Sequence, residues 1–261
     1  MSFLDLDHHR IFFTDTGGEK PALIFSHGFF LDQSSFESQY DYFRTNYRCI
    51  GWDEMGFGQS TTTINYSYWD SAQVILSLMD HLSIESATLL GVSKGGFISL
   101  RCALSAPQRV AGLVLIGSEA GKFSPEQKSE FASLINAWKE LTSDELSEAM
   151  AAVGGTYFGS NAHEISKWKN LWRNQDRSQV IFPGHALLSR DDITDRLSEI
   201  LCPALVIHGS DDQAIDIAKA EAMAVGLPNS EFFGIDGAPH GPNVTHAGLV
   251  NQKIEEFLLK T

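Results

Sequence analysis

Short, continuously apolar runs recur along this 261-residue chain with helical stretches between them, and that alternation leaves few folds open. Ala22–Ser26, Tyr47–Trp52, Ala87–Gly91, Val110–Gly117 and Ala204–His208 lack the in–out alternation of a half-solvated sheet, so they read as strands buried on both faces. Glu231–Ile235 is strand-like, and Ser2–Leu6 and Arg10–Thr14 precede a turn at Gly17-Gly18. Between them, Gln33–Arg44, Tyr68–Leu82 and Lys94–Ser105 suit helices, and Ala247–Leu259 closes the chain as an amphipathic one. In Tyr68–Leu82 the face is set by Ala72, Ile75, Leu76, Met79 and Leu82. Strands separated by helices predict an α/β fold with a mostly parallel sheet covered on both faces.

The rhythm breaks between about Glu119 and Leu197, where no clear strand appears. Phe131, Leu134, Ile135 and Trp138 fall on one helix face, and Ile165, Trp168 and Trp172 on another. The predicted organisation is therefore a core of residues 1–118 and 198–261, interrupted by a helical insertion at 119–197. Most of the insertion's aromatics belong to its packing; Trp138 and Trp168 are the two nominated for substrate contact.

With 19 basic against 33 acidic residues the net charge is −14, which argues against binding nucleic-acid phosphates or anionic lipid. Cys49, Cys102 and Cys202 are widely spaced and odd in number, suggesting neither a metal site nor a disulfide framework. Met1–Asp7 lacks the basic and apolar regions of a secretory signal, and no apolar run approaches membrane-spanning length. The expectation is a cytoplasmic protein with a small-molecule partner.

Chemistry enters at Gly91-Val92-Ser93-Lys94-Gly95, a G-x-S-x-G pentapeptide between a strand and a helix. A serine hydroxyl is a weak nucleophile unless a base takes its proton and the chain presents its oxygen. A sharp strand-to-helix turn does the second job, and small neighbours permit it. The helix that follows aims its first N–H groups at the same point, favouring a developing oxyanion. The base must be a histidine held by a carboxylate, in the chain order serine, acid, histidine. Gly209-Ser210-Asp211-Asp212 follows one strand, and Gly237-Ala238-Pro239-His240-Gly241 follows the last. Both lie where open α/β sheets place their ligands. The remaining histidines, apart from His27, read as surface or packing residues. His27-Gly28-Phe29-Phe30 follows the strand Ala22–Ser26 and nominates the Phe29 N–H, with the Lys94 N–H, as oxyanion donors. Phe29 and Phe30 are also candidates for the substrate wall.

With these segments and Trp52-Asp53-Glu54-Met55-Gly56-Phe57-Gly58-Gln59-Ser60, the chain resembles the α/β-hydrolase superfamily over nearly its whole length. The resemblance implies an eight-stranded, mostly parallel sheet with helices on both faces and a small helical cap after the sixth strand, at 119–197. It selects Asp212 over Asp211, since the family's acid stands three residues after a glycine, here Gly209. Around His240 the chain looks like the cofactor-free haloperoxidase, perhydrolase and aryl-esterase branch. Met55 stands where the family usually has Arg, and Phe30 where the branch often has Pro. A serine nucleophile argues against haloalkane dehalogenase or epoxide hydrolase chemistry.

The resemblance thus implies a serine esterase, free of metal and organic cofactor, with Ser93 as nucleophile, His240 as base and Asp212 as acid. A carbon–carbon bond hydrolase or lactonase of aromatic degradation comes second; the carbon–carbon bond hydrolases often have a Gly-rich loop and a Trp where this chain has Phe29-Phe30-Leu31 and Gly241. A perhydrolase or haloperoxidase side activity and a binding module with negligible turnover complete the alternatives. A short, aromatic-rich cap suits small or aryl esters rather than lipid. One further expectation pairs Lys94 with Glu119 beside the nucleophile; the competing reading leaves Lys94 facing solvent.

Overall fold

The computed structural model describes residues 2–140 and 142–261; Met1, the first residue of the N-terminal reading, and Leu141 lie outside the described residues. The strands are β1 (Ser2–Leu6), β2 (His9–Asp15), β3 (Ala22–Ser26), β4 (Arg48–Trp52), β5 (Thr61–Thr62), β6 (Ala87–Val92), β7 (Val110–Ile116), β8 (Ala204–Gly209) and β9 (Ser230–Ile235). They form one sheet in the order β1-β2-β4-β3-β6-β7-β8-β9, with β5 on β2. From β4 to β9 along that order the neighbours are parallel, while β1, β2 and β5 pair antiparallel. The ninth strand beyond the expected eight is β5, whose two residues are too few to show any periodicity.

Every residue of β3, β6 and β8 is buried, as their unbroken apolar runs require. The helices are α1 (Glu37–Phe43), α2 (Tyr68–His81), α3 (Lys94–Ser105), α4 (Pro125–Glu140), α5 (Ser143–Phe158), α6 (Ala162–Arg173), α7 (Ile181–Leu188), α8 (Ile217–Gly226), α9 (Pro242–Thr245) and α10 (Ala247–Leu258). A capping box between Ser67 and Asp70 starts α2, and its Ala72, Ile75, Leu78 and Met79 face the core. The elements between β7 and β8 are helical among the described residues. In α6 the expected stripe holds, with Trp168 and Trp172 buried. In α4 it divides: Ile135 and Trp138 are buried, whereas Phe131 and Leu134 are half-buried. Among the described residues no helix is long and apolar enough to cross a membrane.

Strand order fixes where a site can form. The chain leaves β3 towards β4 on one side and returns to β6 on the other, so β3 and β6 open a crevice at their carboxyl ends. A buried amide cluster holds the loop after β9 in place there. The Gln39 side chain of α1 donates to the Asn243 carbonyl (3.0 Å) and to the Asn251 side chain (2.7 Å). Asn243 in turn donates to the Ser35 carbonyl at 2.8 Å. These bonds tie the loop after β9 and the closing helix to α1, which makes the cluster a registration device.

α3 lies so close to β3 that a Cβ on Gly95 would overlap the Ser26 carbonyl, standing 2.6 Å from its carbon. Because both sides of that contact are backbone, Gly95→Ala should destabilise the protein by about 1–3 kcal/mol or more. Gly155→Ala in α5, which has nothing within 4 Å of the added carbon, should not. Thermal unfolding of the two variants checks this, and equal melting temperatures would contradict it.

Candidate active site

Ser93 sits between β6 and α3 at φ 52° and ψ −115°, a backbone strain of about 1–3 kcal/mol for a residue with a side chain. The surroundings hold it there: its N–H donates to the Ile116 carbonyl (2.8 Å), and its carbonyl accepts from Gly96 N–H (2.9 Å) and the Ser118 hydroxyl (2.9 Å). The result points the side chain away from the sheet into the crevice, at the amino end of α3.

The histidine and the acid arrive from β9 and β8. His240 Nδ1 donates to Asp212 Oδ2 at 2.7 Å, and both side chains are almost wholly buried. Asp212 Oδ1 accepts the Ala214 and Ile215 N–H groups at 2.8 and 3.0 Å. His208 Nε2 lies 3.2 Å from Asp212 Oδ2 and bonds the Ile215 carbonyl. Burial disfavours the carboxylate, but the charge of His240 and the hydrogen bonds from His208, His240 and Ile215 outweigh it, holding Asp212 well below the usual carboxylate range. Asp211, the competing acid, is exposed and bonds neighbouring Ser210 instead. The loop reaches this position by crossing Gly209 and Gly117, where a Cβ would meet Ala238 and the His240 carbonyl respectively; Gly117 also has φ +53°.

After β3, His27 accepts the Glu54 N–H on Nε2 (3.0 Å), so Nδ1 carries the proton donated to the Gly28 carbonyl (2.8 Å). Burial, then the charge of Lys94, push His27 well below an ordinary histidine, consistent with a neutral ring acting as a brace for Gly28-Phe29. Phe30 has φ 65°, and its carbonyl accepts the Trp172 indole N–H at 2.7 Å. A proline ring fixes φ near −65°, which explains in physical terms why Phe30 stands where the branch often has Pro.

The Lys94 side chain turns inward rather than towards Glu119. It pairs with Glu54, both side chains 1% exposed, and lies 4.5 Å over the Phe57 ring. The Ser71 hydroxyl satisfies the second Glu54 oxygen at 2.7 Å. Glu119 instead takes Arg190 and Lys219. The expected Lys94–Glu119 pair is therefore corrected, and so is the solvent-facing alternative. β6 and β7 are neighbours, as the sequence predicts, but strand order cannot reveal that Glu54, after β4, projects beneath the elbow.

Ser93, Lys94, His240, Phe29 and Phe30 share the wall of one cavity of about 290 Å³. Trp138 and Trp168 do not line it, and their nomination for substrate contact is corrected. Trp138 stacks behind Phe30 (4.3 Å between ring centres), while Trp168 stacks on Phe158. Helical spacing put them on the inner face, but that face meets other aromatics before it meets the cavity. Sequence pattern nominates neither Tyr157 nor Arg190 for the site, and it gives His208 only a surface or packing role. Tyr157 and Arg190 line the cavity; His208 lay in plain view four residues before Asp212.

The α/β-hydrolase fold family profile matches residues 21–247. A 2-hydroxy-6-oxononadienedioate/2-hydroxy-6-oxononatrienedioate hydrolase of Paraburkholderia phymatum is 30% identical, over 95% of this chain and 91% of that protein. A non-heme haloperoxidase of Rhodococcus erythropolis is 27% identical over 97% of each chain. A thermophilic esterase from Thermogutta terrifontis has a solved structure that superposes with a TM-score of 0.89, at 27% identity, covering 100% of this chain and 99% of that one.

Removing one member of a buried ion pair strands the other, at about 3–5 kcal/mol. Lys94→Met and Glu54→Gln should therefore each destabilise the protein, with a coupling of about 2–3 kcal/mol in denaturant unfolding. Lys94→Met with Glu119→Gln should add to within about 0.5 kcal/mol, since the two share no partner. Coupling in the second cycle and none in the first would reverse the pairing.

Proposed function

The chain belongs to the α/β-hydrolase fold family, and we propose that within it this hydrolase cleaves small carboxylic esters through an acyl-enzyme on Ser93. The observation that carries the reading is the 2.7 Å bond from His240 to Asp212 beside a serine on a strained elbow in one cavity. Asp212 holds the Nδ1 proton, leaving Nε2 free to accept the Ser93 proton as the oxygen attacks an acyl carbon. The oxyanion forms against the N–H groups of Phe29 and Lys94, His240 returns the proton to the leaving alcohol, and water attacks the acyl-enzyme by the same route. Residues 119–197 take the part of a cap. The cavity suits short acyl or phenyl groups, with Phe97, Phe123, Phe131 and Leu134 on its wall.

A second reading has equal support from the relatives: cleavage of a carbon–carbon bond in a keto acid. The named substrates of the Paraburkholderia protein are dicarboxylates. In this chain Arg190 lines the cavity, buried, with an Nε that has no partner among the described residues. That leaves a donor for an anionic or carbonyl group. Initial rates with phenyl acetate, phenyl butyrate, emulsified long-chain triglyceride and a 2-hydroxy-6-oxodienoate separate the possibilities. The ester reading expects the soluble esters to lead; a lead for the dienoate by tenfold or more transfers the assignment to carbon–carbon cleavage.

Ser93→Ala should leave the fold intact and lower turnover by about 10⁴-fold or more, and a fluorophosphonate should label the parent at Ser93 alone. A folded variant with most of its activity would refute the nucleophile. Asp212 stays charged down to a pH well below its ordinary range, so its ionisation is constant between pH 5 and 8. The carboxylate should therefore add no limb of its own to kcat/KM in that range, and Asp212→Asn, which takes the charged partner from His240 Nδ1, should lower kcat by about 10⁴-fold. A folded Asp212→Asn variant with most of its activity would contradict that role.

A further inference from the structure

Tyr157, near the end of α5, brings a phenol into the site from the stretch between β7 and β8. Its ring centre lies 4.8 Å from that of His240. Its hydroxyl donates to the Phe29 carbonyl at 3.0 Å, and the ring shares the cavity wall with Ser93. A Cβ on Gly28 would stand 2.7 Å from the phenol oxygen, so the glycine after His27 is what admits it. The placement is fixed by backbone: His240 N–H donates to the Thr156 carbonyl (3.2 Å), and Gly241 N–H to the Tyr157 carbonyl (2.9 Å). Burial raises the phenol's pKa, so it keeps its proton as a donor.

We propose that Tyr157 is a further catalytic residue, a third donor to the oxyanion beside the N–H groups of Phe29 and Lys94. The inference rests on the reading of Ser93 as nucleophile. In the free protein the phenol proton lies on a neutral carbonyl. As Ser93 bonds to the acyl carbon, the C=O π electrons move to oxygen and His240 takes the serine proton. The phenol O–H then turns about its C–O bond from Phe29 to that oxygen. It exchanges a neutral hydrogen bond for a charge-assisted one, roughly twice as strong. The gain exists only once charge has developed, and such an interaction raises turnover rather than affinity.

Tyr157→Phe keeps the ring against His240 and removes only the donor. On the fastest ester of the parent enzyme, kcat should fall about 10²-fold, as for loss of other oxyanion donors, with KM changed less than about threefold. Inhibition by an aryl trifluoromethyl ketone, which forms a hemiketal oxyanion on serine, should weaken by a similar factor. A folded Tyr157→Phe variant with kcat within threefold of the parent overturns the proposal. Should the variant not fold, a crystal structure of the parent's trifluoromethyl ketone adduct decides. A phenol oxygen within about 3.2 Å of the hemiketal oxygen supports the role, and one still on the Phe29 carbonyl and out of reach overturns it. Full activity in Ser93→Ala is a different outcome, removing the nucleophile reading on which the proposal stands.

Discussion

Backbone lies directly on backbone at the carboxyl end of the sheet, and the rest of the site depends on that contact. α3 meets the Ser26 carbonyl through Gly95, and the loop bearing His240 crosses β8 at Gly209 and β7 at Gly117. With side chains excluded from these crossings, peptide groups set the distances. Peptide groups are stiff, and their positions vary far less than rotamers do. Ser93 can then be held in a sparsely populated conformation, because the groups that would let it relax have no room to move.

Beneath the site the protein buries charge and compensates it locally. Lys94 and Glu54 are both withdrawn from water, with Ser71 and the Phe57 ring taking up the remaining valences. Arg190 and Glu119 form a second pair, the guanidinium lying 4.2 Å over the Phe97 ring and 4.1 Å over that of Phe123. Buried pairs of this kind contribute little net stability against hydrophobic replacements. Their value is geometric: Lys94 follows Ser93, so anchoring its side chain to β4's exit loop also restrains the peptide N–H proposed as an oxyanion donor.

Much of this was legible in the sequence because it is carried by local pattern. Unbroken apolar runs gave the strands to within a residue or two, and the turn of α3 out of β6 follows from glycine and serine spacing alone. Asp212 and His240 were visible as polar residues just past strand ends. What stayed hidden depends on three-dimensional adjacency between distant segments. Glu54 under Lys94, Tyr157 on the Phe29 carbonyl, and Trp138 behind Phe30 each join residues at least 40 positions apart. Periodicity names the inward face of a helix but not the layer beyond it, which is why Trp138 and Trp168 looked like wall residues. The two residues of β5 carry no pattern at all.

The two backbone hydrogen bonds between α5 and the His240 loop bear on how a molecule gets in. Thr156 and Tyr157 give their carbonyls to His240 and Gly241, so lifting α5 would drag the imidazole off Asp212. A door hinged there would disarm the enzyme each time it opened. The exposed residues on the cavity wall are elsewhere: Glu130 on α4, and Gln213 on the loop after β8. The exposed part of the rim therefore lies at α4 and the loop after β8, beside a carboxylate, while the α5 side is tied to the His240 loop.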